Sequence, residues 1–129
     1  IAIVSSGAMK TILVVDDETD LRRMICRMLA LHGFTAVGAE TTAEALRTLQ
    51  SGRVDAVMLD VVLGQENGWE TLRLIREAGG VPVVMMSGAT MDDDSQRDAH
   101  VIGAQGTLQK PFESYELFDC LARVLAPER

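Results

Sequence analysis

Five polar residues stand at or just past the ends of short apolar runs: Asp16 and Asp17 behind residues 12–15, Asp60 behind 54–59, Ser87 behind 81–86, and Lys110 behind 107–108. Brought side by side, the three carboxylates repel one another unless a cation neutralises them. An all-oxygen site with few protein ligands and room for water and phosphate suits Mg²⁺. A lysine at the same rim cannot be a metal ligand, but its ammonium can bind an oxygen of a transferring phosphoryl group, and a serine hydroxyl can donate to another. With metal and cation drawing charge off those oxygens, one carboxylate can act as nucleophile and become an aspartyl phosphate. Taken singly these residues say much less. Asp17 or Glu18 could simply favour the start of a helix, and a lone serine is more often a turn residue.

Such a site needs strands that end together. From Thr11 onward, short apolar runs alternate with stretches of helical period, and no segment repeats. The strand candidates are 12–15, 35–38, 54–59, 81–86 and 107–108. The first, third and fourth are apolar on both faces, as strands are inside a parallel sheet covered by helices. A helix is predicted through Leu21, Met24, Ile25, Met28 and Leu29, ending at His32-Gly33, where glycine supplies a left-handed cap. Others are predicted over 42–50 behind a Thr41 or Thr42 cap, over 68–77, over a polar 93–102, and through Leu117, Leu121, Val124 and Leu125, with Pro127 past its end. Met24, Met28, Met85 and Met86 fall on core-facing positions. The order is β-α five times over, and right-handed crossovers wind it into a doubly wound five-stranded parallel sheet of the α/β class. Ligands in such sheets bind outside the carboxyl ends of the strands, where the winding reverses. The run 35–38 has no comparable polar residue behind it, which suits an edge strand.

The chain has 129 residues, 47% of them apolar and 24% charged, which is the profile of one globular domain with a core of its own. Twelve Lys and Arg against nineteen Asp and Glu leave a net charge of −7, so the chain as a whole is repelled by nucleic acid and by anionic membranes. The five aromatics are scattered rather than interleaved with cations, which argues against base stacking. Cys26 and Cys120 form neither a metal clip nor a disulfide framework, so a reducing cytoplasm is the expected setting. Residues 1–8 lack an initiating Met and read as an expression remnant or a clipped linker, with the domain over 9–127 and no output domain expected after it.

Once these residues are set in order, the chain resembles the receiver domain of two-component response regulators. The resemblance rests on Val14-Val15-Asp16-Asp17-Glu18, Met58-Leu59-Asp60 with Asn67-Gly68 following, Met86-Ser87-Gly88, and Lys110-Pro111-Phe112, and it covers residues 11–126. It implies a flavodoxin-like strand order, 2-1-3-4-5. It also implies that Asp60 is the phosphoacceptor, loaded from a phosphohistidine on a histidine kinase or phosphotransfer protein. Asp17 would bind Mg²⁺ directly, Asp16 through water, and the backbone carbonyl of Val62 would be a further ligand beside Asp60. Lys110 would bind a phosphoryl oxygen, held by a cis Lys110–Pro111 peptide, and Ser87 would swing toward the phosphoryl group. Output to a second copy or another partner is then expected through residues 93–126, with Arg97, Gln105, Tyr115 and Glu116 as contacts. Nucleic acid and membrane are not expected partners.

Some positions depart from the family's pattern. The inward-turning aromatic three residues before the lysine is Thr107 here, so aromatic gating is not expected in its usual form. The proline common four residues after the phosphoacceptor is Gly64, which is expected to loosen the loop over the site. Val62 and Ala89 offer no side chain to orient an attacking water, which predicts a comparatively long-lived phosphoform. Two other classes stay in view: a degenerate receiver that only binds, and a Mg²⁺-dependent phosphohydrolase. The hydrolase needs a second carboxylate where Val62 stands. Asp92-Asp93-Asp94 reads as a helix start, and His32 and His100 as ordinary helix residues rather than phosphohistidines. Trp69 reads as structural.

Overall fold

The computed structural model describes residues 9–88 and 93–126, the side chains of 93–95 excepted. The expected remnant 1–8, Pro127, Ala89 and the Asp92-Asp93-Asp94 side chains therefore lie outside the described residues. Five parallel strands form the main sheet: β1 (Thr11–Val15), β2 (Thr35–Ala39), β3 (Ala56–Asp60), β6 (Val83–Ser87) and β7 (Gly106–Gln109). Their order is β2-β1-β3-β6-β7, which counted over these five is 2-1-3-4-5. The helices are α1 (Thr19–Leu31), α2 (Thr42–Ser51), α3 (Gly68–Ala78), α4 (Asp93–Ile102) and α5 (Ser114–Val124). All ten residues of β3 and β6 are buried, which is why both read as unbroken apolar runs.

Strand alternation sends side chains to two cores. Leu13, Val15, Val57, Leu59, Val83 and Met85 pack on Ala45, Leu72 and Ile75 of α2 and α3. Ile12, Val14, Met58, Val84 and Met86 pack on Ile25, Leu29, Leu117 and Leu121 of α1 and α5. Helix ends follow local chemistry. Thr41 accepts a hydrogen bond from the Glu44 amide at 3.2 Å, and Gly33, at φ +89°, takes the left-handed position after α1. His32 closes α1 with its ring stacked on Phe118 at 4.0 Å.

Three details differ from the sequence expectations. Met24 is 52% exposed rather than in the core, because the buried stripe of α1 runs through Ile25 and Leu29 and Met24 falls at its edge. The middle strands begin two residues late. Asp55 is occupied in bonding Thr11, its amide to the Thr11 carbonyl and its carboxylate to the Thr11 amide, and Pro82 has no N–H to enter a ladder. Asp60 and Ser87 are the last residues of their strands rather than the first beyond them. The third difference is an extra hairpin after Asp60, β4 (Val62–Leu63) with β5 (Glu66–Asn67).

Candidate functional site

The winding direction reverses between β1 and β3, and Lys110 reaches their carboxyl ends from beyond the edge strand β7. The carboxylates of Asp16, Asp17 and Asp60 converge there, with oxygen atoms within 4.8 Å of one another. Asp16 is fully buried, Asp60 is 6% exposed, and Asp17 faces solvent. Lys110 Nζ lies 2.5 Å from Asp60 Oδ2 and 3.4 Å from Asp16 Oδ2. The Lys110–Pro111 peptide is cis, and the Lys110 amide donates to the Ser87 carbonyl at 2.7 Å. Ser87 is buried at the end of β6. All five polar residues singled out from sequence thus stand at one end of the sheet.

The two buried acids are each held by a backbone amide. Asp16 Oδ1 accepts from the Glu18 amide at 2.9 Å, turning the chain into α1, whose cap residue Glu18 makes no side-chain cap bond. Asp60 Oδ1 accepts from the Val62 amide at 3.0 Å. The Gly68 amide bonds the Val61 carbonyl at 2.9 Å, so antiparallel alternation makes Val62 and Asn67 a non-hydrogen-bonded pair. The hairpin therefore makes no use of the Val62 amide or carbonyl, and the amide serves Asp60.

Burial and like charge both act on the site. Burial pushes the Asp16 carboxyl above the ordinary aspartate range, and the charge of Asp60 adds to it; the Glu18 amide and Lys110 offset only part. Burial alone would depress Lys110, but its hydrogen bond to Asp60 and the charges of Asp16 and Asp60 outweigh that and raise it. An all-oxygen donor set with one fully buried acid fits a hard divalent ion such as Mg²⁺. A raised folded pKa means that Asp16 favours the folded state below its unfolded value, 3.8, and that this contribution is lost as pH rises through the folded value. At neutral pH without metal, buried Asp16 thus lowers the stability of the fold. Asp16→Asn is expected to raise the stability of the metal-free chain and to weaken Mg²⁺ binding at least about tenfold. Thermal melts in EDTA and in Mg²⁺ at neutral pH check both, and a lower Tm in EDTA would contradict the sign.

Several residues that build the site escaped sequence reading. Gly64 lies at φ +57° in the hairpin turn, with its Cβ direction 3.5 Å from Asp17 Oδ2. Its backbone freedom also serves the turn itself, because proline cannot take that φ. Glu66 ties the hairpin down by accepting from the Thr42 amide and hydroxyl at 3.0 and 2.9 Å, while Thr42 Oγ1 meets Thr71 Oγ1 at 2.7 Å. Gly68 packs flat against the Asp60-Val61 backbone. Arg22 reaches from α1 to the Asp16 carbonyl at 2.7 Å.

Thr107 is half-buried on β7, beside a cavity of about 130 Å³ that it lines with Ala99 and His100 of α4. Among the expected output contacts, Gln105 Oε1 accepts from the Val83 amide, and Glu116 Oε1 from the Glu113 amide as half of the α5 capping box. Tyr115 is 66% exposed.

The response regulator receiver domain family matches residues 12–122. Among curated relatives, the regulatory protein VirG of Agrobacterium fabrum is 33% identical over 116 residues, covering 90% of this chain and 45% of that protein. The transcriptional regulatory protein CpxR homolog of Haemophilus influenzae is 36% identical over 118 residues, covering 92% and 50%. The chain spans about half the length of such relatives. Among solved structures, the chemotaxis protein CheY4 of Vibrio cholerae superposes with a TM-score of 0.85 at 30% identity, covering 92% of this chain and all of that one. A response regulator from Thermotoga maritima gives 0.82 at 26% identity, covering 93% and 100%. With the family match over most of the chain, and with the acids and the lysine gathered at the switch point of a sheet in this order, the chain belongs to the response regulator receiver domain family.

Proposed function

We propose that this domain is the phosphoacceptor switch of a two-component phosphorelay, in which Asp60 takes a phosphoryl group from a phosphohistidine on a histidine kinase or phosphotransfer protein. The observation that carries this reading is the three-carboxylate cluster with Lys110 Nζ 2.5 Å from Asp60 Oδ2. Asp16, Asp17, Asp60 and the Val62 carbonyl would hold Mg²⁺, which when bound neutralises the acids and draws charge off the phosphoryl oxygens. Asp60 supplies the electron pair: one of its carboxylate oxygens bonds to phosphorus as the phosphorus–nitrogen bond to the donor imidazole breaks. The Val62 amide keeps the carboxylate aimed during that step. Lys110 pairs with Asp60 before transfer and with a phosphoryl oxygen after it, so its charge stays compensated throughout. Ser87 donates to another phosphoryl oxygen, and that new bond biases the end of β6 and the Thr107 region toward a second arrangement.

Two features disfavour the phosphohydrolase reading. Val62 supplies no general acid two residues beyond Asp60, and its side chain is 63% exposed. The cytoplasm is the setting proposed, on the strength of the partner chemistry and the two free thiols. Among the described residues no helix is long and apolar enough to cross a membrane.

Acetyl phosphate with Mg²⁺ tests the reading. The expected result is an adduct of one phosphoryl mass on the peptide carrying Asp60, absent in EDTA. Absence of an adduct in Mg²⁺ would favour the binding module, and steady release of phosphate without a detectable adduct would favour the hydrolase.

A further inference from the structure

Arg22 lies one turn into α1, and its side chain runs back over the end of the sheet. The stem crosses β2 at Gly38, where a Cβ would sit 3.1 Å from Arg22 Cδ, 3.3 Å from Nε and 3.4 Å from Cγ. At the far end Nη1 donates to the Asp16 carbonyl at 2.7 Å. The other polar groups of Asp16 are already engaged: its amide donates to the Ala39 carbonyl at 3.0 Å, Oδ1 accepts from Glu18, and Oδ2 faces Lys110. Arg22 completes the set.

The carbonyl of Asp16 and the amide of Asp17 belong to one planar peptide, so a bond that holds the oxygen also sets the point from which the Asp17 side chain departs. Asp17 depends on that. It is exposed, and among the described residues no hydrogen bond holds its carboxylate. We propose that Arg22 is the positioning residue for Asp17 as a Mg²⁺ ligand, and that Gly38 is the clearance through which Arg22 reaches. This rests on the phosphoacceptor reading above.

The guanidinium has two opposed effects on the site. As a cation near three acids it lessens their call for metal, so on that ground alone its removal tightens Mg²⁺ binding. As the donor that aims Asp17, it favours binding, and its removal weakens it. The charge effect is screened by salt over about 8–10 Å. The hydrogen bond is short, local and directional, so positioning governs the sign.

Isothermal calorimetry with Mg²⁺ alone, on the full chain, reads that sign. Arg22→Met, which keeps the stem and removes donor and charge, is expected to bind Mg²⁺ about tenfold more weakly, the usual scale for losing a group that orients a ligand. Arg22→Lys, whose ammonium can still donate, is expected to recover most of the loss. Gly38→Ala leaves the charge in place but crowds the stem, and it is expected to weaken binding in the same direction. A purely structural role would lower the Tm in EDTA and leave the Mg²⁺ affinity of the folded chain unchanged, which overturns the proposal, as does tighter binding by Arg22→Met. Should Arg22→Met fail to fold, Gly38→Ala decides: weaker binding supports the proposal and unchanged binding overturns it. Wild type that binds no Mg²⁺ overturns this proposal and the phosphoacceptor reading together. Wild type that binds Mg²⁺ and forms the Asp60 adduct, with the variants unaffected, overturns the role of Arg22 alone.

Discussion

Lys110→Met is expected to slow phosphoryl transfer to Asp60 by about 10²–10³-fold, the scale for removing one preorganised donor from developing charge, while tightening the binding of Mg²⁺. Both effects come from one distance, 2.5 Å between Lys110 Nζ and Asp60 Oδ2. The lysine side chain is 14% exposed and its two carboxylate partners, Asp16 and Asp60, are 0% and 8% exposed, so the group is screened far less than a surface pair would be. Methionine keeps much of the apolar stem, which confines the change to the lost charge and donor. Without the ammonium, Asp16 and Asp60 face each other uncompensated. In EDTA the variant is expected to be about 3 kcal/mol less stable, a fall of roughly 10 °C in Tm for a domain of this size. In saturating Mg²⁺ most of that deficit should disappear, because the acids regain a counter-charge. The transfer deficit should remain, since the ammonium that would pass from Asp60 to a phosphoryl oxygen is gone. A rate within threefold of wild type at saturating Mg²⁺ would mean that Lys110 is only a structural counter-ion.

The elements that could be read from sequence are those with continuous or periodic burial. β3 and β6 are sealed on both faces, so their apolar runs announced them, and Asp60 and Ser87 stood out as the polar residues that end them. Where pairing begins was less legible, since Val54 and Val81 are as apolar as the strand residues they precede. The hairpin of β4 and β5 has two residues per strand, too few for any period to show. Arg22 was not singled out, because nothing in a linear pattern marks a side chain that folds back over its own N-terminus. Gly64 was legible as a flexible position, but that the fold uses its freedom for a left-handed turn was not. Met24 misled through spacing, being three residues from Leu21 yet on the rim of the buried stripe. Acids and lysine carry their chemistry in their identity. Glycines that matter for what they lack become visible only when the partner that would collide is in place.

Gly68 is the strongest such case. A Cβ on Gly68 would stand 2.2 Å from the Val61 carbonyl oxygen and 2.5 Å from the Asp60 carbonyl oxygen. Those are main-chain atoms, so no rotamer change relieves the contact. Gly68 is also fixed from both sides: its amide donates to the Val61 carbonyl, and it opens α3, whose cap Asn67 accepts from the Trp69 amide at 2.9 Å. Leu72 and Ile75 anchor the same helix in the core, which leaves α3 little room to retreat. The strain in Gly68→Ala must therefore move the Asp60-Val61 peptide. Alanine is otherwise the better helix former, by about 1 kcal/mol in a helix interior, so propensity and packing make opposite forecasts. Overpacking against rigid backbone is expected to win, for a net loss of about 1–3 kcal/mol. Displacing the Asp60 carboxylate relative to Lys110 and the Val62 amide is expected to slow phosphoryl transfer by about 10²-fold. Thermal melts and acetyl phosphate labelling of the folded variant check the two effects separately. A variant as stable as wild type and labelled at the wild-type rate would show that the start of α3 can shift without carrying Asp60 with it.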